Sequence, residues 1–241
     1  MSGFGLWLAA RAAGLLLLTE AAAAWLLAGD STFSEAVLAR ALFTLFLATV
    51  LQPQPAHAGA TAIPLLLLWS LLSGASLALG LLWLAGFSHY NHRLLPLAGG
   101  TALLVFLFAC LRWSLAMRCK DRRIASQATL ATLILSLTLP LWSAPLAVLN
   151  GASKAFVDSI VALCPLSYLA ALAEVDYLRS DWMYQYAPYG SLRFDYPAPA
   201  VSTLLILLLA TIFIMYANVR RAGPRTGQLP AIASPLLEMK P

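Results

Sequence analysis

Charged side chains are scarce in this sequence. They make up 10% of its 241 residues, whereas 61% are hydrophobic, and the mean hydropathy is +0.81. A soluble domain usually carries about 25% charged residues to cover its surface. The composition therefore excludes a soluble cytosolic enzyme, a nucleic-acid-binding domain and a disordered chain, and it predicts a protein surrounded mostly by lipid.

Cysteine, histidine and known catalytic motifs are also rare. The 3 cysteines are widely spaced without a C-x-x-C pattern, which argues against a disulfide scaffold and a cysteine-rich metal site. His89 and His92 are too few for a zinc site, which normally uses at least three protein ligands. No P-loop, H-E-x-x-H, G-x-S-x-G or dinucleotide-binding motif is present. We therefore predict that this chain is not an enzyme and binds neither a metal nor a cofactor.

Long apolar runs account for most of the sequence. A helix needs roughly 20 mainly apolar residues to cross a bilayer, and runs such as Leu15–Leu18 lack the alternation of a barrel strand. We predict an all-α, polytopic membrane helix bundle at residues 1–218, followed by a flexible cytoplasmic tail at 219–241. The predicted spans are residues 12–28, 36–52, 61–87, 94–113, 128–149 and 200–217, so six transmembrane helices in all.

Lysine and arginine indicate how these spans are oriented. Cytoplasmic loops of membrane proteins carry an excess of both residues. Here they gather between the fourth and fifth predicted spans and after the sixth. Six spans place both segments on the side of the N-terminus, so we expect both termini to be cytoplasmic. Together with the abundant alanine and leucine, this orientation is typical of a multi-pass bacterial inner membrane protein. The basic residues include Arg118, Lys120, Arg122, Arg123, Arg220 and Arg221.

The predicted outer segment at residues 150–199 is unusually long for a connection without a role. Residues 156–172 are apolar but contain Pro165, which breaks a helix, so we expect a pair of short helices at the outer membrane surface. The aromatic residues that follow fit two interpretations: a belt of rings at the lipid–water boundary, or an outer cap. The candidate residues for an outer gate or cap are Pro165, Tyr168, Tyr177, Arg179, Trp182, Arg193 and Tyr196.

Glu20 lies inside the first predicted span. A carboxylate there costs on the order of 3 kcal/mol on insertion scales, so it should face other protein or water. Arg40 or Glu35 of the second span is a plausible partner. Glu20 is either a structural group held between helices or part of a polar pathway, and we name Glu20 and Arg40 as candidate pathway residues.

A short motif, Cys164-Pro165-Leu166-Ser167-Tyr168-Leu169, precedes the last predicted span. An N-P-L motif followed by an aromatic or apolar residue occupies this place in the membrane subunits of ABC type-2 transporters. Here cysteine replaces the asparagine. With its six predicted spans, its basic loop before span five and its partly helical outer segment, the chain resembles this permease family.

The resemblance implies a permease subunit of an ABC-type exporter. Such a subunit works as a homo- or heterodimer with a separate ATP-binding subunit and moves an amphipathic or polymeric substrate outward. The alternative is a non-catalytic integral subunit that scaffolds a larger membrane complex. Membrane lipid is a partner in both cases, and nucleic acid in neither. The candidate contacts to the ATPase are His57 and Gly59, in the uncharged loop at 52–60, and Arg118, Lys120, Arg122 and Arg123.

Overall fold

The computed structural model describes residues 10–11, 14, 18, 33–53, 62–85, 91–119, 121–151, 153–180, 185, 192 and 194–222. Within these ranges the regular structure is helical and contains no β-strand, which confirms the predicted all-α class. The helices are α1 Phe33–Leu51, α2 Ala62–Ala85, α3 Asn91–Arg118, α4 Arg122–Leu137, α5 Leu139–Leu149, α6 Lys154–Leu163, α7 Pro165–Ala173 and α8 Pro199–Ala222, with a 3₁₀ turn at Tyr177–Arg179.

The described helices include three to five candidate membrane spans, which supports a membrane protein without confirming six spans. Three are long and apolar enough alone: α2, α3 and α8. The other two exist only if the bent pairs α4–α5 and α6–α7 each count as one span. The apolar part of α1, Ala36–Leu51, is shorter. Most of the first predicted span, at 12–28, lies outside the described residues.

Helix α3 is the centre of the bundle and packs against α1, α2, α4, α7 and α8. Its contact with α2 depends on a small residue. A Cβ atom on Gly74 would lie 2.8 Å from both the Ala98 carbonyl oxygen and the Ala102 Cβ. Small residues let membrane helices approach closely, and Gly74 has this role between α2 and α3.

The α4–α5 pair bends by 54° at Thr138. Pro140 follows the bend, and a proline cannot donate the backbone hydrogen bond that would continue the helix. Side chains bond two of the carbonyl oxygens at the bend: Thr138 Oγ1 donates to Ile134 O at 2.8 Å, and Trp142 Nε1 donates to Leu135 O at 2.9 Å. A break inside a bilayer is tolerated when its backbone groups are bonded in this way.

The α6–α7 pair bends by 85°. Cys164 joins the two helices in an extended conformation, with φ −83° and ψ 118°. A residue before proline disfavours the helical region because of a clash with the proline ring. The predicted pair of short helices, broken at Pro165, is therefore confirmed.

Hydrogen bonds and close contacts define two opposite ends of the bundle. Tyr168 lies close to Gly100, near the start of α3, and bonds Thr203, near the start of α8. These helices therefore begin at one end, which we call the cap end. Arg112, late in α3, donates to Gln52 O just after α1. Helices α1, α3 and α8 thus finish together at the opposite end, which we call the basic end.

Candidate functional site

The polypeptide between α5 and α8 forms a small packed layer at the cap end. We call α6, α7, the 3₁₀ turn and residues 194–198 the cap. Val157, Ile160 and Val161 lie on one face of α6 and are buried with Leu178 and Phe194 against α5. This spacing of three and four residues is that of an apolar helix face turned toward a core. The cap is therefore a folded unit held on α5.

Tyr177 connects the cap to both helix breaks. Its hydroxyl lies 2.9 Å from Ser167 Oγ in α7 and 3.7 Å from Cys164 Sγ. The Cys164 thiol in turn donates to the Leu137 carbonyl oxygen, at 3.7 Å, beside the α4–α5 bend. Burial raises the pKa of the Tyr177 hydroxyl well above its usual value, because an apolar environment disfavours the phenolate. The neutral hydroxyl joins the contacts to Ser167 and Cys164.

Tyr196 and Asp176 form a second polar centre in the cap. The Tyr196 hydroxyl donates to Asp176 Oδ1 at 2.8 Å and accepts from the Leu178 N–H at 3.4 Å. Arg179 pairs with the other Asp176 oxygen at 3.2 Å and lies 5.3 Å from the centre of the Phe194 ring. Burial, with the nearby Asp176 carboxylate, raises the pKa of Tyr196. Asp176 thus fixes both the 3₁₀ turn and the segment before α8.

Charged side chains at the surface of the cap also connect α6 to the segment before α8. Lys154 Nζ lies 2.6 Å from Asp195 Oδ2, and the Asp195 backbone N–H donates to Asp158 Oδ1 at 2.9 Å. The paired side chains are 57% and 77% exposed, and exposed pairs of this kind contribute about 0–1 kcal/mol. Apolar packing and the buried tyrosines therefore hold the cap more than this pair does.

Tyr168 anchors α7 in the helix bundle. Its hydroxyl lies 2.9 Å from Thr203 Oγ1 of α8. A Cβ atom on Gly100 would lie 3.2 Å from the Tyr168 ring and would overlap Leu172 Cδ1. The absence of a side chain at Gly100 therefore lets α7 approach α3, and a movement of α7 has to involve both long helices.

An apolar groove opens beside the cap, where α1, the α4–α5 bend and α7 meet. Its volume is about 340 Å³. Its walls include Leu42, Phe43, Phe46, Leu141, Leu166 and Tyr177. Thr138 also lines the groove, but its hydroxyl is bonded to Ile134 O, just as the Tyr177 hydroxyl is engaged with Ser167. The groove is thus suited to apolar chemistry.

The structure brings together most of the residues predicted for an outer cap. Five of them lie in the cap, in helices and segments that contact each other: Pro165, Tyr168, Tyr177, Arg179 and Tyr196. Trp182 and Arg193 lie outside the described residues.

The other predicted site residues lie elsewhere. Arg40 is fully buried in α1, and its suggested partner Glu20 is outside the described part of the chain. Arg118, Arg122 and Arg123 are exposed at the basic end. His57, Gly59 and Lys120 are not described. No group of three or more potential metal ligands occurs among the residues that the structure describes.

Sequence reasoning missed several polar partners in the cap. Ser167, Asp176 and Thr203 bond the tyrosines, but neither helical period nor composition distinguishes them from other small polar residues. It also missed the role of Arg112 and Arg11 at the end of α1. Arg11 donates to the carbonyl oxygens of Leu51 at 2.7 Å and Gln52 at 3.1 Å. The available signal was a pair of arginines near helix ends, where backbone carbonyls lack helical partners.

No family model, no curated protein and no solved structure matches the sequence. Function has to be argued from the residues and their geometry.

Proposed function

We propose that this chain is the membrane permease subunit of an ATP-driven exporter of the ABC type. Two permease subunits, identical or different, work with a separate ATPase in the bacterial inner membrane and move an amphipathic or polymeric substrate outward. The observation that carries the proposal is the α6–α7 pair, bent by 85° at Cys164–Pro165, with α7 packed against α3 and α8. The resemblance to ABC type-2 permeases predicts a partly helical segment at this place.

The hydrogen bonds of the tyrosines favour the interpretation of an outer cap rather than that of an aromatic belt. In a belt, the rings lie at the lipid–water boundary with their hydroxyls directed to water. Here the hydroxyls are engaged within the protein instead. Tyr168 bonds Thr203, Tyr177 bonds Ser167 and Tyr196 bonds Asp176. Because these bonds join α7, the turn and α8, a substrate leaving at the cap end has to pass or displace a connected layer. This is the property expected of an outer gate.

The start of α4 supports an ATPase contact at the basic end. Asp121 caps the helix by accepting from the Arg123 N–H at 2.8 Å. The side chains of Arg122 and Arg123 are exposed in its first turn. Positive charge is unfavourable at a helix N-terminus, so helix stability does not explain these arginines. The excess of basic residues in cytoplasmic loops accounts for their side of the membrane, and an acidic surface on an ATPase at that side would bind them.

Purification in a gentle detergent tests the proposal. Proteins that copurify with the full-length chain are identified and counted by mass spectrometry, and ATP hydrolysis is measured on the same sample. We expect a soluble P-loop ATPase at about one copy per copy of this chain. The double variant Arg122→Glu/Arg123→Glu should lose both the ATPase and the hydrolysis. Arg221→Glu, also exposed at the basic end, is the matched control and should keep both.

The alternative is a scaffold subunit, and the surface of α8 favours it. Only 22% of the apolar window of α8 is buried, against 50% for α2 and 56% for α3. A span that contributes so little to its own bundle has a large face for lipid or for another subunit. Recovery of other membrane proteins without any ATPase would support the scaffold and overturn the permease.

A further inference from the structure

Exposed side chains near the groove between α1, the α4–α5 bend and α7 indicate that this part of the bundle faces lipid. Next to it on α4 and α5, Ile134, Leu135 and Trp142 are 49%, 57% and 50% exposed. These side chains belong to a candidate span, so their exposed surface faces hydrocarbon. Phe43 and Phe46, which line the groove, are themselves 40% and 38% exposed, so the groove opens at the outer surface of the bundle.

The chemistry of the lining excludes a polar occupant. The two hydroxyl groups on the walls, those of Thr138 and Tyr177, already bond Ile134 O and Ser167 Oγ. A polar headgroup or an extended peptide would therefore bring buried donors and acceptors that find no partner here. Such unpaired groups are unfavourable in an apolar environment.

The groove is an open cleft with a volume of about 340 Å³. A narrow, flexible hydrocarbon chain fits this space, and its apolar surface matches the apolar lining.

We propose that this groove binds one acyl chain of a phospholipid from the surrounding bilayer. The chain enters between Phe43 and Phe46 of α1 and Leu141 of α5, and its end reaches the ring of Tyr177. Because Tyr177 also bonds α7 through Ser167, the lipid contacts the cap directly. Occupancy of the groove then stabilises the closed arrangement of α7. This binding requires no ATPase and no transport.

Photolabelling tests the proposal on the full-length chain in vesicles. The vesicles contain phosphatidylethanolamine and phosphatidylglycerol, with a small fraction of phosphatidylethanolamine that carries a diazirine at the end of one acyl chain. After irradiation, labelled residues are located by tandem mass spectrometry. Tyr177 is informative because it lies in the 3₁₀ turn and outside the candidate spans. A chain-end probe reaches its ring through the groove.

Two variants are designed to fill the groove, and a third variant is the matched control. Leu42→Trp and Leu141→Trp enlarge half-buried wall residues on different helices, so that one variant remains if the other does not fold. Leu208→Trp makes the same change on α8, where the side chain is 57% exposed. Folding of each variant is checked by gel filtration in detergent.

We expect labelling of Tyr177 and of α8 in the unmodified chain. Labelling of Tyr177 should fall to background in the groove-filling variants, persist in Leu208→Trp, and leave the α8 label unchanged throughout. An unlabelled Tyr177 beside a labelled α8 would overturn the proposal. So would a Tyr177 label that survives in every folded groove-filling variant. Either result would leave the proposed ATPase partner untouched, because labelling is measured without one.

Discussion

Gly74 offers a sharp test of how the two central helices pack. A Cβ atom there would lie 2.8 Å from Ala102 Cβ and 2.8 Å from Ala98 O, closer than ordinary van der Waals contact. One of these atoms is backbone, so α2 or α3 has to move. Overpacking of this kind costs about 1–3 kcal/mol, while replacing a helical glycine by alanine gains about 0.5–1 kcal/mol. The two terms combine to a loss of roughly 0–2.5 kcal/mol, so we expect Gly74→Ala to lower the free energy of unfolding by about 1 kcal/mol.

Gly99→Ala is the matched control, because a Cβ atom on Gly99 has no neighbour within 4 Å. It makes the same chemical change inside α3 without overlap, so it should raise the free energy of unfolding by up to about 1 kcal/mol. Unfolding is measured by titrating SDS into mixed micelles and following helicity by circular dichroism. The two variants should shift the midpoint in opposite directions.

A compensating change sharpens the test. Ala102→Gly removes one of the two atoms that the new methyl group meets, but the Ala98 carbonyl oxygen stays. The new glycine in α3 itself costs about 0.5–1 kcal/mol, so the double variant Gly74→Ala/Ala102→Gly is compared with Ala102→Gly alone. In that background Gly74→Ala should cost less than it does in the unmodified chain, but it should still cost something. If Gly74→Ala unfolds at the same SDS concentration as Gly99→Ala, the reasoning about close packing between α2 and α3 is refuted.

Three further predictions concern hydrogen bonds at the two ends of the bundle. The pKa of Tyr196 is raised in the folded chain, so the folded chain keeps the phenol proton to higher pH than the unfolded chain does. The contribution of the neutral phenol to the free energy of unfolding is therefore full below about pH 10 and is lost as the pH rises above that value. Tyr196→Phe should flatten this loss when unfolding midpoints are measured at rising pH. Ser167→Ala removes the bond to Tyr177 and should cost about 0.5–1.5 kcal/mol in the SDS titration. Arg112→Ala leaves the Gln52 carbonyl oxygen with one donor fewer and should cost about 1–3 kcal/mol, with Arg112→Lys intermediate.

Each of these predictions has a result that contradicts it. An unchanged pH profile in Tyr196→Phe would show that its phenol titrates alike in both states. A Ser167→Ala variant as stable as the unmodified chain would show that the bond between Ser167 and Tyr177 does not stabilise the cap. Equal stability of Arg112→Ala and the unmodified chain would show that these carbonyls find other donors, such as Arg11.

The sequence was sufficient to predict the helical class, the places of several helices and one break. Apolar runs in a chain with few charges have to form helices in lipid, because each backbone group must be bonded within its own segment. Pro165 predicts a break from local chemistry alone, since proline restricts the residue before it.

Helix ends and polar pairs were harder to predict. Helix α4 begins at Arg122, before the predicted start at residue 128, because Asp121 caps it. Apolar runs mark the lipid-crossing part of a helix and miss its polar ends. Asp176 and Tyr196 are separated by 20 residues, and their pairing depends on the path of the chain. The groove likewise arises from a bend whose angle no local pattern specifies.

The central claim is that the cap and the basic end face opposite sides of the membrane, with the cap outside. Labelling with a membrane-impermeant maleimide tests it most directly. Cys119 is partly exposed at the basic end, whereas Cys110 and Cys164 are buried. Asp195→Cys adds an exposed thiol in the cap. In intact cells we expect the thiol at position 195 to be labelled and Cys119 to be labelled only after permeabilisation. Labelling of Cys119 in intact cells, or protection of position 195, would contradict the account.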